Sequence, residues 1–468
     1  MPFLSLWFYF AVVLLLALYY GVPVRARWTV LLAGSLALYC CFSGMGILAL
    51  GFTALASYAT GRLLKKGKGR RALLAMGIGL VLLPFLGGRL FYREGLDFLR
   101  PLGIAYFTLQ AIAYMADVYR GEIEPEKNLA KYMLFLSFFP QIVQGPIPRY
   151  RQLGWQFFQN AAFDEDKFTR GFQWILWGFF LKLMIADKAG IIVDTIFDNW
   201  EIYTGSYVLL GGILYNIQLY TDFMACVCMA RGIASLFGIG LADNFNRPYF
   251  SDSVKEFWGR WHISLSSWLK DYVYIPLGGS RKGKARKWLH LSIVFAVSGI
   301  WHGSDLKYLA WGLLHAFYQI GGDLTKGIRK RAYGLLRIEE TSFLADLLKK
   351  GTTFFLVALA FILFRADSLW AGVRMVLSLF TVYNPWILLN DSVFQLGLDI
   401  KECVILLLAI LLLLTVSLQQ RRLSVGQWLS EQHLLLRWAV YIIGILIIVV
   451  YGTYGFGFNA QDFIYRGF

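Results

Sequence analysis

Apolar residues run through this chain in long unbroken stretches, without the alternation of a half-buried strand or the 3.6-residue period of a surface helix. The stretches fall at 3–20, 28–42, 46–60, 72–86, 101–118, 131–143, 171–186, 207–219 and 223–238 and, after a polar interval, at 288–301, 308–320, 352–364, 371–383, 403–417 and 438–454. The first is long enough to span a bilayer, has no basic residue ahead of it of the kind a signal peptide carries, and reads as a retained helix. Several others fall short of the roughly 20 residues of a full span and suit re-entrant or paired half-helices. The pattern predicts an all-α polytopic membrane protein with roughly eleven or more transmembrane helices plus re-entrant or interfacial ones. In the polar interval, Trp258, Trp261, Trp268, Tyr272 and Tyr274 alternate with Lys255, Glu256, Arg260, His262, Lys270 and Asp271, a mix that predicts an interfacial or re-entrant amphipathic helix. No internal repeat or linker divides the chain, so residues 1–468 read as one membrane domain.

Composition supports this. The chain is 58% hydrophobic and only 16% charged, where a soluble domain is about a quarter charged. The apolar surplus faces lipid, which excludes a soluble enzyme, a disordered chain and a disulfide-stapled secreted module. The 45 Lys and Arg against 29 Asp and Glu point to loops beside anionic lipid rather than to nucleic acid. Basic clusters without an acid cover 62–71, 281–287 and 326–337. The positive-inside rule places all three in the cytoplasm, giving a multi-pass protein of the cytoplasmic membrane with its N-terminus outside. The last two flank a hairpin whose turn, Trp301-His302-Gly303-Ser304-Asp305, lies deep in the bilayer or towards its outer side. A helical arm would carry His302 roughly 20 Å beyond Lys287. The five cysteines form neither a disulfide framework nor a CxxC metal site, and no metal is expected.

Familiar catalytic signatures, including GxSxG, the P-loop, GxGxxG and HExxH, are absent. Two Trp-His dipeptides remain, Trp261-His262 and Trp301-His302. An imidazole in an apolar span is costly to charge and stays neutral, the form a general base needs. His302 is therefore either such a base or a neutral histidine bonded to a neighbouring helix, and His262 either catalytic or part of an amphipathic face. His290 and His433 read as structural, and His315 sits on an apolar helix with no charged neighbour in sequence. Arg149, by a Pro-rich break, either lines a substrate route or snorkels. Trp258 and Trp268 read as interfacial anchors. A transporter or flippase would share the broken helices and buried polar groups, but no inverted repeat is visible.

The run 257–281, opening with Phe257-Trp258-Gly259-Arg260-Trp261-His262 and closing with Tyr274-Ile275-Pro276-Leu277-Gly278-Gly279, resembles the central signature of membrane-bound O-acyltransferases, the MBOAT family. It is most similar to the bacterial branch of alginate O-acetylation (AlgI) and teichoic-acid D-alanylation (DltB) proteins. Three further blocks agree: 138–150 with Gln144-Gly145-Pro146-Ile147-Pro148-Arg149, 244–249 with Asn244 and Asn246, and 299–303 around His302. The ending Asp462-Phe463-Ile464-Tyr465 is also similar. The chain departs from the family at 221–230, where Thr221-Asp222-Phe223 is followed by Met224-Ala225-Cys226-Val227-Cys228 instead of a Gly-Tyr-Ser-Asp segment; Asp222 survives.

The resemblance implies that His302 takes the invariant histidine position and His262 the second polar position. It implies transfer of an acyl group, acetyl first, from a cytoplasmic thioester to hydroxyls of an extracytoplasmic polysaccharide or to an accessory O-acetyltransferase. D-alanyl transfer to teichoic acid is the alternative within the family. The donor is acetyl-CoA or an acyl carrier protein acting as co-substrate, with no tightly bound cofactor. Substrate contacts are expected at Asn246, Asn244, Trp268, Asp271, Arg260, Arg149 and Asp222. Direct transfer is the first expectation. A covalent acyl-enzyme would draw on Cys226, Cys228, Ser264 or Ser266.

Overall fold

The computed structural model describes residues 2–65, 69–91, 101–159, 162–281, 283–420 and 424–454. Every regular element among the described residues is a helix, as expected where backbone groups away from water must be satisfied within their own segment. Seven of these helices are long and apolar enough to cross a membrane: Val24–Ser43, Gly46–Leu64, Arg70–Leu90, Ser206–Leu236, Phe343–Arg365, Ile400–Gln419 and Leu434–Tyr451. Leu6–Gly21 and Leu369–Thr381 are apolar but shorter. The fold class is therefore an all-α polytopic membrane protein. The similar ending at Asp462–Tyr465 lies outside the described residues.

The described residues fall into two compact units, one within 2–178 and 225–242, the other within 179–224 and 243–454. In the first, Ile104–Arg120 is the buried centre, packed by Gly46–Leu64 and Arg70–Leu90. It starts at Gly103, whose φ of 75° and whose closeness to the Ile142 carbonyl leave no room for a side chain. The apolar stretch 131–143 is broken here into Leu129–Ser137 and Phe139–Ile142. Pro140 sits in the first turn of the second piece, where its missing N–H costs nothing, and so favours a helix start there over a helix interior.

The sequence expectations are revised at three places. The stretches 207–219 and 223–238 are one 31-residue helix, Ser206–Leu236. The polar residues between them do not interrupt it, because the Thr221 hydroxyl donates to the Ile217 carbonyl within the helix and Asp222 is paired elsewhere. The stretch 171–186 ends in a π-helical turn, Leu181–Ala186, before the helix Asp187–Asp198. The Leu183 carbonyl in that turn accepts from both the backbone N–H and the hydroxyl of Thr453. The polar interval is not one amphipathic helix: it is Val254–Arg260, Ile263–Leu269 and a π turn, Lys270–Tyr274. Trp258 and Trp268, read as interfacial anchors, are buried instead.

The hairpin is present as expected, with arms Lys284–His302 and Leu306–Leu324. Asp305 caps the second arm, its carboxylate accepting from Lys307 N–H at 2.8 Å. The arms touch backbone to backbone: a methyl on Gly299 would meet the Tyr308 carbonyl, and one on Gly312 the Phe295 carbonyl. Backbone cannot move aside as a side chain does, so Gly312→Ala is expected to destabilise the protein by about 1–3 kcal/mol or more, read as a lowered melting temperature of the detergent-extracted protein. An unchanged melting temperature would refute the close approach.

Candidate active site

Both Trp-His dipeptides lie in the second unit, and the fold brings them to one indole. The Trp301 ring stands 6.1 Å from the His262 ring and 4.8 Å from that of His302. His302 ends its helical arm, 2% exposed, walled by Trp311 at 5.1 Å and Phe364 at 5.3 Å. His262 is 1% exposed and packs edge-on against Phe223 at 4.7 Å. It sits between two short helices, outside the membrane-spanning ones, and burial lowers its pKa to about 3. The ring is therefore neutral at physiological pH, and neither of its nitrogens has a hydrogen-bond partner among the described residues. A buried imidazole with both nitrogens open is costly as a purely structural element, because each unmet polar group forfeits a bond to water.

His262 is held there by its backbone. Its φ of 44° and ψ of 53° are left-handed, uncommon for a residue with a side chain. Asn244 sustains this turn: its carbonyl accepts from Ile263 N–H at 2.9 Å and its side-chain oxygen from Ser264 N–H at 3.1 Å. Asn246 N–H in turn donates to the Arg260 carbonyl at 2.9 Å. Asn244, expected as a substrate contact, thus acts first as the cap that turns His262 inward, while its amide nitrogen has no partner among the described residues.

The other expected contacts are placed unequally. Asp222 is buried one residue from the Phe223 that packs on His262, and lies 2.8 Å from the Lys182 ammonium. Trp268 is buried against Tyr272, and Asp271 is half-buried. Arg260 pairs with Glu256 at 2.5 Å, and the Asn246 side chain is exposed, accepting from Arg247 at 3.4 Å. Arg149 belongs to the first unit, buried, with a guanidinium nitrogen 3.5 Å from the Ile147 carbonyl. The Ser266 hydroxyl donates to the Trp261 carbonyl at 3.2 Å.

Sequence reading missed two features. One is the ion cluster in which Lys182, 1% exposed, meets Asp187 at 2.7 Å and Asp222 at 2.8 Å. A lysine inside the apolar stretch 171–186 was the available signal. The other is His315, whose Nδ1 accepts from the Trp258 indole at 3.2 Å; its partner lies 57 residues away, and no local pattern shows it.

A helical membrane protein with two buried imidazoles packed on one indole is the class that the fold and site define. Residues 119–333, with both histidines among them, match the model of MBOAT, the membrane-bound O-acyltransferase family. The chain is 35% identical over 288 residues to the probable alginate O-acetylase AlgI of Pseudomonas syringae pv. tomato, covering 62% of this chain and 53% of that protein. It is 33% identical to a peptidoglycan O-acetyltransferase of Helicobacter pylori, over 60% of this chain and 57% of the relative. A teichoic acid D-alanyltransferase of Bacillus subtilis is 31% identical over 46% and 57% of the two chains. The matches thus span just over half the length of these relatives.

Proposed function

We propose that the protein is an O-acyltransferase of the cytoplasmic membrane, moving an acetyl group from a cytoplasmic thioester to a hydroxyl on the outer side. The observation that carries this reading is the pair of buried histidines around Trp301, within the segment that matches the family. In the proposed step the acceptor hydroxyl gives its proton to a neutral His302 while its oxygen attacks the thioester carbonyl. The new C–O bond forms, the C–S bond breaks, and the proton passes from the imidazolium to the departing thiolate. The donor is acetyl-CoA or an acetylated carrier protein, both anionic, which the basic clusters at 62–71, 281–287 and 326–337 attract from the cytoplasm. Cytoplasmic placement of those clusters puts the N-terminus outside. The acceptor is an extracytoplasmic polysaccharide or an accessory transferase that passes the group on. The alginate and peptidoglycan relatives support acetyl as the group moved.

The test is to express the protein in a host lacking its own such enzyme and to release ester-linked groups from envelope and secreted polymers with mild base. Acetate appearing only with the protein is the expected result. D-alanine in its place would move the protein to the teichoic-acid branch, and no change in either would refute O-acyl transfer and bring a transport assay forward.

A further inference from the structure

Trp311 lies on the second arm of the hairpin and is 1% exposed. Its indole N–H has no hydrogen-bond partner among the described residues. Buried indoles ordinarily find an acceptor, so an unmet donor at this depth marks a place where an oxygen belongs. The ring is also not free to swing to another acceptor. Trp258 meets it at 5.6 Å, His315 at 5.1 Å, Phe364 at 5.1 Å, and Phe361 lies nearly parallel at 6.3 Å.

His315 cannot supply the missing acceptor. An indole nitrogen only donates, so the bond from Trp258 Nε1 fixes His315 Nδ1 as an acceptor and puts the ring proton on Nε2. The lone pair of His315 is thereby used, and its Nε2, also buried, is a second donor without a partner among the described residues. The walls on this side of the site therefore present N–H groups and no open acceptor from these two residues. The Trp311 and His302 rings meet in a T-shaped pair, centroids 5.1 Å apart and planes at 89°.

We propose that the Trp311 indole N–H holds the carbonyl oxygen of the acyl donor beside His302, and strengthens its bond as that oxygen gains negative charge during attack. This rests on the O-acyl transfer reading above. It makes Trp311 a catalytic residue and His315, locked by Trp258, the positioning residue that keeps the indole in its plane. A donor set in a dry site before reaction acts on developing charge without reorganisation, and loss of one such donor typically lowers kcat by about 10²-fold or more.

The experiment uses two inert mimics of acetyl-pantetheine, the portion that a CoA donor and a carrier-protein donor share. In one, methylene replaces the sulfur and the carbonyl is kept as a ketone. In the other, an S-ethyl thioether, methylene replaces the carbonyl. Both are assayed as inhibitors of acyl transfer by membranes containing the full-length protein. The ketone is expected to inhibit the wild type roughly tenfold more tightly than the thioether. In Trp311→Phe that ratio should fall towards one, with the thioether constant little changed and kcat lowered far more than KM rises. A wild-type ratio of one overturns the proposal without any variant, and a ratio undiminished in Trp311→Phe overturns it by showing that the indole holds only water or the acceptor. Membranes that transfer no acyl group at all refute the O-acyltransferase reading itself, which separates that failure from this one.

Discussion

His302→Gln is expected to abolish acyl transfer while the protein stays in the membrane at the wild-type level. The imidazole ends the first hairpin arm, 2% exposed, walled by Trp301, Trp311 and Phe364. Glutamine is similar in reach and polarity and retains a donor and an acceptor, so the packing loss is small. It cannot take up a proton, however, and general-base catalysis contributes typically 10² to 10⁴-fold. Transfer measured on matched membrane amounts should drop by about that factor. His262→Gln offers the comparison: an equal loss would mean that both rings act on the reacting groups, and a smaller one that His262 binds rather than deprotonates. Activity retained in His302→Gln would remove this histidine from the chemistry.

Lys182→Met is expected to cost the protein its stability, whereas Asp187→Asn is not. Lys182 is an ammonium facing two carboxylates, all three groups 1–2% exposed at the side chain. Removing the cation leaves two carboxylates buried against each other, and breaking a buried pair costs about 3–5 kcal/mol. Removing one carboxylate leaves one ammonium on one carboxylate, which is balanced. The membrane abundance and melting temperature of Lys182→Met should therefore fall sharply, those of Asp187→Asn should stay near wild type, and adding Asp187→Asn and Asp222→Asn to Lys182→Met should restore much of the loss. An abundant, stable Lys182→Met would show that the cluster is not charge-balanced in this way. The same cluster explains how a π-helical turn persists at Leu181–Ala186, since the turn carries Lys182 and its freed Leu183 carbonyl is met by Thr453.

The hairpin was legible because its information is local: two apolar stretches between basic clusters, with a Trp-His-Gly turn. The histidines were legible as candidates because a titratable ring inside an apolar run is costly and needs a reason. Asn244 was legible only as a residue of a similar block, and its capping of the His262 turn appears when Ile263 and Ser264 are seen to donate to it. Trp258 misled, because an aromatic residue among charges has the same local pattern whether it anchors at an interface or, as here, is buried and donates to His315.

The amino-acid sequence alone determined the helical membrane class, the family resemblance and the choice of His262 and His302 as candidates, since hydrophobic run length and motif spacing are properties of neighbouring residues. Only the tertiary structure decided that Asp222 belongs to a lysine 40 residues away, that two apolar stretches are one helix, that His315 holds its proton on Nε2, and that Trp311 keeps an unmet donor beside His302. Each of these depends on which polar group finds a partner once water is gone, and that is settled by the packing of distant segments.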